Sequence, residues 1–410
     1  MNILSIADRP AISVAADGRT LHPVSRGELE RRWLLVRRAM AGAGVDALVV
    51  QGANGISGGG HFRWLAGQPP GNYNPRTLIF PAEGLMTLVD QGPFDAVLEF
   101  DGNDAANPGV GRRCMVPSYP SVVYTADYDA QIVVREIRRH GYRRIGIVAA
   151  ASSYYAFGAG LREQLGAGAC IDMTDAVDAI KAIKSPEEIA LIQAAADMQD
   201  RIVVEVAAAI RPGMRDFEVM AHAQHVGQLL GSEQGMFFGS SAAPGQAAGL
   251  RPRFQQGREL REGDVFTLLV ENSGPGGMFA HIARPLVLGR ATNELSDAFE
   301  AVCEAQRATL AMLEPGASCA EVFAAYNAFM RARGWPEERR LHCHGQGYDL
   351  VERPLIRQDE TLRIEAGMNI AAHPAIGSPA LFTTVCENYL IQPEGPPRCF
   401  HRTPQRIIEL

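Results

Sequence analysis

The first third of the chain alternates between segments with helical periodicity and short, continuously apolar segments. Apolar residues in 28–43 recur at the three- and four-residue spacing of an amphipathic helix, whereas 47–50 is an unbroken apolar run. Further strands are predicted at 78–80, 86–89 and 145–148, and a further helix at 130–139. Alternating strands and helices predict an α/β domain that ends near residue 175.

One glycine-rich segment of this first domain shows neither helical nor strand periodicity. Residues 52–74 lack both the alternation of a strand and the spacing of a helix, so the sequence predicts a loop. We expect His61, within this loop, to be a surface or domain-contact residue rather than a ligand.

A helix start marks the second domain. Ser185 is a favourable N-cap, Pro186 suits the first helical position, and the carboxylates of Glu187 and Glu188 are stabilised at the positive end of the helix dipole. The pattern predicts helices over 186–208 and 216–230. With the boundary at 174–184, the predicted domains are 1–175 and 180–410.

The rest of the chain is rich in predicted strands that carry isolated polar residues. An apolar run at 265–270 leads into Glu271, residues 273–277 form a hairpin connection, and the return strand 278–288 carries His281. Two helices follow, at 293–313 and 319–333. Two later apolar strands, 368–373 and 381–391, contain His373 and Glu387. A charged group inside an apolar strand must be paired or bound to something.

Composition and charge narrow the class of protein. The formal charge of −7, without any basic run, argues against nucleic-acid and anionic-membrane partners. No basic-then-apolar leader opens the sequence and no uncharged apolar stretch has the length of a membrane span, so we expect a cytoplasmic protein. Seven cysteines without a CxxC pair indicate reduced thiols.

Short motifs between residues 180 and 400 occur in one fixed order. They are Lys184-Ser185-Pro186-Glu187-Glu188-Ile189, Arg211-Pro212-Gly213-Met214, Gly263-Asp264, His281-Ile282-Ala283-Arg284, His344-Gly345-Gln346-Gly347, Gly367-Met368 and Glu387. The series resembles the creatinase, prolidase and methionine-aminopeptidase family. That resemblance implies an α/β N-terminal domain, an α+β pita-bread catalytic domain with a curved antiparallel sheet covered by helices, and a homodimer.

The resemblance also implies where metal ligands would lie. Family metallopeptidases hold two ions with two Asp, one His and two Glu. The His and the second Glu are retained here, whereas the second Asp and the first Glu are replaced by histidine, and the first Asp position falls on Val270 or Glu271. The implied metal ligands are His281, His344, His373 and Glu387.

These replacements change the expected metal content. Two divalent ions need bridging carboxylates to screen their repulsion, and neutral imidazoles cannot do this. We therefore expect one divalent transition ion, Zn, Fe, Mn or Ni, because imidazole-rich sites suit these metals. Such a site leaves an open coordination position.

The other candidate residues are expected either to take part in catalysis or to bind the substrate. The catalytic candidates are His344, Glu352 and Glu271, and the substrate-binding candidates are Arg284, Tyr348, Arg251 and Arg253. His342 either orients His344 through a hydrogen bond or faces the other side of the sheet.

We expect a hydrolase that cleaves a C–N or amide bond of a small polar molecule, by water activated at the metal or by His and Glu bases. Xaa-Pro peptidase activity is less favoured, because two-metal ligands are missing. A metal-free, creatinase-like site also fits the sequence: a His shuttles a proton while Glu271, Glu352 and Glu387 bind a cationic substrate. A metal-dependent lyase of the same fold and a non-catalytic binding module are the third and fourth hypotheses.

Overall fold

A computed structural model describes residues 12–53, 55–71 and 74–410. These residues divide into two compact units, Ile12–Lys181 and Ala182–Leu410. No helix in the described ranges has both the length and the apolar character needed to cross a bilayer.

The N-terminal unit is a mixed sheet with helices. Its helices are α1 (Arg26–Ala43), α2 (Gly60–Ala66), α3 (Tyr128–His140), α4 (Tyr155–Leu165) and α5 (Thr174–Ala182). Its strands are β1 (Ala47–Gly52), β2 (Arg76–Pro81), β3 (Met86–Gln91), β4 (Val97–Glu99), β5 (Val110–Val116), β6 (Ile145–Val148) and β7 (Cys170–Asp172). They form one sheet in the order β4-β5-β3-β2-β1-β6-β7, in which β1, β6 and β7 run parallel.

Local sequence explains the boundaries of α1. The Ser25 side chain accepts a hydrogen bond from the backbone N–H of Glu28, and Gly44 ends the helix with φ of 63°. Glycine adopts this left-handed conformation without a steric penalty.

The loop predicted over 52–74 is wrong in its middle. Helix α2 lies there, with Phe62, Trp64 and Leu65 buried. At seven residues the helix is too short for its period to stand out from the surrounding glycines. Nε2 of His61 lies 2.7 Å from Oδ1 of Asp178 within the same unit.

The C-terminal unit consists of two similar halves, each a helix pair followed by strands. The helices are α6 (Pro186–Ala209), α7 (Asp216–Leu229), α8 (Asn293–Leu310) and α9 (Cys319–Ala332). The first half contributes β8 (Gly235–Ala242), β9 (Val265–Ser273) and β10 (Phe279–Val287). The second half contributes β11 (Cys343–Gly345), β12 (Glu352–Leu355), β13 (Asn369–Ala372), β14 (Ala375–Ser378), β15 (Leu381–Thr384), β16 (Glu387–Leu390), β17 (Arg398–Cys399) and β18 (Ile408–Glu409).

In the described residues of this unit, these strands form three sheets. Their orders are β18-β10-β9-β8, β12-β11-β13-β16-β17 and β14-β15. Helix α6 begins at the predicted N-cap Ser185, which forms a reciprocal capping box with Glu188. The core beneath the first sheet includes Ile202 and Val226 from the helices and Val270 and Ile282 from the strands.

The single strand predicted over 381–391 is two strands in two different sheets. β15 pairs with β14, whereas β16 joins the five-stranded sheet. Between them, Cys386 forms an isolated bridge with Ala283 of β10. An unbroken apolar run hides this change because both strands and the link between them are largely buried.

Candidate metal centre

Glu271 and His281 face each other across the β9–β10 hairpin. The antiparallel register pairs them directly, and Nδ1 of His281 lies 3.0 Å from Oε1 of Glu271. Their neighbours Val270 and Ile282 pack under the helices, so the alternation of the strands turns Glu271 and His281 to the opposite face. Nε2 of His281 is buried and has no hydrogen-bond partner among the described residues.

His344 comes from the other half of the unit. It lies on β11, and its Nδ1 donates a hydrogen bond of 2.8 Å to the carbonyl oxygen of Gly345. This contact holds the proton on Nδ1 and leaves Nε2 as the available lone pair. Burial lowers the pKa of His344 to about 4, so the ring is neutral at physiological pH.

His373 completes a triangle of imidazoles. Its ring centroid lies 5.4 Å from that of His281 and 5.0 Å from that of His344, and the centroids of His281 and His344 are 5.6 Å apart. Burial also holds the pKa of His373 well below its usual value. A neutral imidazole is the form of histidine that binds metals.

Donor atoms from three of these residues converge. One ligand atom each from Glu271, His281 and His344 lies within 4.8 Å of the other two. Two imidazoles and one carboxylate, with a third imidazole adjacent, form a donor set suited to one transition ion. The buried, unpartnered Nε2 of His281 fits this assignment, because leaving such an atom without a partner is costly.

Glu387 has different partners from those expected of a metal ligand. Oε1 accepts a hydrogen bond from the Arg284 guanidinium, and Oε2 accepts hydrogen bonds from the Tyr389 hydroxyl and the Gln405 amide. The side chains of Glu387 and Arg284 are both almost completely buried. The structure therefore places Glu387 in a closed ion pair, outside the three converging donors.

The same pair accounts for Arg284, which was expected to bind substrate. Its guanidinium also donates to the carbonyl oxygens of Thr403 and Pro404. Arg284 is fully buried and serves as an internal counter-ion.

Glu352, expected to be catalytic, also has an internal partner. Its Oε2 lies 2.9 Å from Nζ of Lys184, and its Oε1 accepts the backbone N–H of Asp349. The carboxylate packs directly on Gly347, where an added Cβ would lie 2.5 Å from Oε2. Glu352 thus supports the turn that follows His344.

The remaining expected residues are spread over the unit. Tyr348 is buried, whereas Arg251 and Arg253 are exposed, and the Arg253 guanidinium lies 5.2 Å from the ring centroid of Phe217. His342 faces away from His344: its ring stacks on Tyr326 with centroids 3.7 Å apart. Of the two roles considered for His342, the packing supports the one in which the ring faces the other side of the sheet.

A set of buried amides near the centre was missed by sequence reasoning. It comprises Asn388, Gln346 and Asn369, all connected by hydrogen bonds. One signal was present: an Asn directly follows both Glu271 and Glu387, and a polar residue inside an apolar strand needs a partner.

Comparison with known proteins gives a consistent result. The model of metallopeptidase family M24 matches residues 190–392. Over 349 residues the chain is 21% identical to an Xaa-Pro dipeptidase of Pyrococcus horikoshii, covering 79% of this chain and 97% of that protein. It is 25% identical over 242 residues to a creatinase of a Bacillus species, covering 51% and 53% of the two chains.

Solved structures extend the likeness to both units. An X-Pro aminopeptidase of Thermotoga maritima superposes with a TM-score of 0.74 at 16% identity, over 93% of this chain and 99% of that one. A prolidase of Pyrococcus horikoshii gives 0.73 at 18% identity, over 92% and 100%. The expected fold class, an α/β unit followed by a pita-bread unit, is confirmed.

Proposed function

Residues 190–392 belong to metallopeptidase family M24, and from this premise we propose a hydrolase that cleaves a C–N or amide bond of a small polar molecule at a single metal ion. Glu271, His281 and His344 would hold the ion, with His373 beside them as a further imidazole. The chain's Xaa-Pro dipeptidase relatives support the hydrolase class. The cytoplasmic location and the homodimer expected from the family are part of the same proposal.

The observation that carries the proposal is the convergence of three donors from two separate sheets. Glu271 and His281 come from the four-stranded sheet and His344 from the five-stranded one, yet their ligand atoms lie within 4.8 Å of one another. Buried polar atoms brought together in this way are costly unless something binds them.

One ion suits this centre better than two. The donor set contains a single carboxylate, Glu271, and the second one that the family would supply, Glu387, faces the permanently charged Arg284. Little negative charge remains to screen two divalent ions.

Different residues of the chain would orient the metal ligands and contact the substrate. The Glu271 carboxylate orients His281 through Nδ1, and the Gly345 carbonyl does the same for His344, so both rings present Nε2. When bound, the ion would polarise a substrate carbonyl and lower the pKa of water. Because Arg284 is buried, the exposed Arg251 and Arg253 are the residues that we propose for contact with a substrate carboxylate.

The metal-free, creatinase-like hypothesis has less support. It needs Glu271, Glu352 and Glu387 to bind a cationic substrate. Each of these carboxylates already contacts a basic side chain, His281, Lys184 or Arg284 respectively. A cationic substrate would therefore have to displace an internal partner.

The test is metal content and metal binding of the full-length protein. We expect about one transition ion per chain after gentle purification, and about a hundredfold or greater loss of Co²⁺ affinity in His344→Ala, because the variant lacks one of three ligands. His140→Ala is the matched control, since His140 is exposed and lies in the N-terminal unit. A wild-type chain without metal and without Co²⁺ affinity would end the metal proposal.

Reaction class needs a second measurement. Small amides and Xaa-Pro dipeptides would be incubated with the metal-loaded protein in ¹⁸O-labelled water. Hydrolysis introduces one labelled oxygen into the product, whereas elimination by a lyase introduces none.

A further inference from the structure

We propose that Asn388 is a positioning residue that holds the two halves of the metal centre at the distance required for one ion. This inference rests on the proposed function, because it concerns how the same ligands are brought together. Asn388 itself lies in β16 and is fully buried.

The need for such a residue follows from the topology. His281 belongs to β10 of the four-stranded sheet, whereas His344 belongs to β11 of the five-stranded sheet. In the described part of the chain, no ladder of backbone hydrogen bonds within one sheet fixes their separation. Contacts along the seam between the sheets must do so.

Asn388 forms the seam contact at the ligand itself. Its Oδ1 accepts the backbone N–H of His281 at 2.8 Å. A backbone N–H can only donate, so Oδ1 must face His281 and Nδ2 must face the other way. Nδ2 donates to Oε1 of Gln346 at 2.9 Å and to Oδ1 of Asn369 at 3.1 Å.

The chain of amides continues to the turn that carries His344. Nδ2 of Asn369 donates to the carbonyl oxygen of Gln346, two residues after His344, and the Gln346 side chain donates to the carbonyl oxygen of Leu350. Asn388, Asn369 and Gln346 are each at most 1% exposed. A buried amide network with its donors satisfied is rigid and sets a single geometry.

The contacts on either side show why a side chain is used here. Two residues before and two residues after His281, backbone N–H groups donate across the seam: Phe279 to the carbonyl oxygen of Gly347 at 2.7 Å and Ala283 to that of Cys386 at 3.3 Å. At His281 an asparagine side chain takes the place of a backbone carbonyl. Its length therefore sets the spacing of the sheets at the ligand.

Asn388→Asp tests this with little change in volume. The variant keeps an acceptor for His281 but replaces the donor Nδ2 by an oxygen that faces Gln346 Oε1 and Asn369 Oδ1. We expect this repulsion to open the seam and to weaken Co²⁺ binding by about 10- to 100-fold, the range found when residues supporting a metal ligand are changed. The Co²⁺ absorption spectrum should change in intensity because the ligand geometry changes.

Asn327→Asp is the matched control. Asn327 is also a buried amide, and it bonds only to the backbone N–H and carbonyl of Glu338 in the contacts described for it. We expect both variants to unfold at lower temperature, but only Asn388→Asp to lose Co²⁺ affinity. Equal losses of affinity in the two variants, or an unchanged affinity and spectrum in Asn388→Asp, would overturn the inference.

A milder variant covers the case in which Asn388→Asp does not fold. Asn369→Asp keeps the acceptor for Asn388 and removes only the donor to the Gln346 carbonyl, so we expect an intermediate loss of Co²⁺ affinity of about severalfold. No loss there would count against the proposal. A wild-type chain that binds no Co²⁺ would overturn the proposed function together with this inference, whereas normal binding in the Asn388 and Asn369 variants would overturn this inference alone.

Discussion

Glu271 and Glu387 occupy similar places in the two halves of the C-terminal unit but have opposite partners. Each is a buried carboxylate in a strand, and each is followed by an asparagine. Glu271 faces the imidazole of His281, whereas Glu387 faces the guanidinium of Arg284. We infer from the comparison that the partner of the carboxylate, and not the carboxylate itself, decides which half could hold the proposed metal ion.

Charge explains the difference. An imidazole is neutral when deprotonated and can share a metal ion with a neighbouring carboxylate, whereas a guanidinium stays charged and needs the carboxylate as its counter-ion. A divalent ion at Glu387 would add two positive charges beside the buried Arg284. At Glu271 the same ion would be the first full positive charge in contact with the carboxylate.

The largest expected effect comes from Glu387→Gln. Removing the carboxylate leaves the fully buried Arg284 without its counter-ion, which should lower the free energy of unfolding by roughly 3–5 kcal/mol. Because Glu387 lies outside the converging donors, we expect the folded variant to bind Co²⁺ as the wild type does. Unfolding in denaturant and a Co²⁺ titration measure the two quantities.

A double variant sharpens this first comparison. Arg284→Met combined with Glu387→Gln removes both charges, so it should be less destabilised than Glu387→Gln alone. If the folded Glu387→Gln variant instead loses Co²⁺ binding, the comparison breaks, and the assignment of Glu387 as a metal ligand made from the sequence is correct.

A third buried carboxylate, Asp129 of the N-terminal unit, has a neutral partner, whereas Glu271 and Glu387 each contact a basic side chain. It accepts a hydrogen bond of 2.7 Å from the Gln51 amide, and burial raises its pKa from 3.8 to about 6. A raised pKa means that the folded state binds the proton more tightly. The stability that the protonated carboxyl gives is therefore complete below about pH 4 and is lost as the pH rises through 6.

We expect Asp129→Asn to remove this dependence. Between about pH 4.5 and pH 7.5 the wild type should lose roughly 2 kcal/mol relative to the variant. Trp33 and Trp64 report unfolding of the N-terminal unit, and a Trp335→Phe background removes the tryptophan of the other unit. A constant difference between the two proteins across this range would show that Asp129 does not titrate there.

Sequence reasoning predicted the parts of the site that depend on local pattern. The predicted hairpin joins the strands that carry Glu271 and His281, and the family register brought in His281, His344 and His373; the direct pairing of Glu271 with His281 was not predicted. It could not show the partners of Glu387, because Arg284 is 103 residues away and Gln405 comes from the C-terminal segment. Such pairings depend on how separate elements pack, which a local pattern does not record.

The network of buried amides could not be predicted from the sequence for the same reason. Asn388, Gln346 and Asn369 each look like an isolated polar residue in an apolar strand or a turn, and only the fold reveals that they bond to one another. Helix α2 was missed for a different reason: its seven residues lie among glycines. Long periodic elements were predicted well, and the residues that join elements were not.

The smallest change in free energy is expected from Glu271→Gln. This variant also tests the comparison of Glu271 with Glu387 most directly. Glutamine can still accept the Nδ1–H of His281 through its Oε1, so the orientation of the ring should survive. The negative charge of the donor set is lost, and we expect Co²⁺ affinity to fall by about 10- to 100-fold, or about 1.4–2.8 kcal/mol, with little change in unfolding. An affinity equal to that of the wild type would mean that Glu271 only orients His281 and that imidazoles alone hold the ion. A large loss of stability with normal affinity would make Glu271 a structural partner like Glu387, and the two halves of the unit would no longer differ in the way proposed.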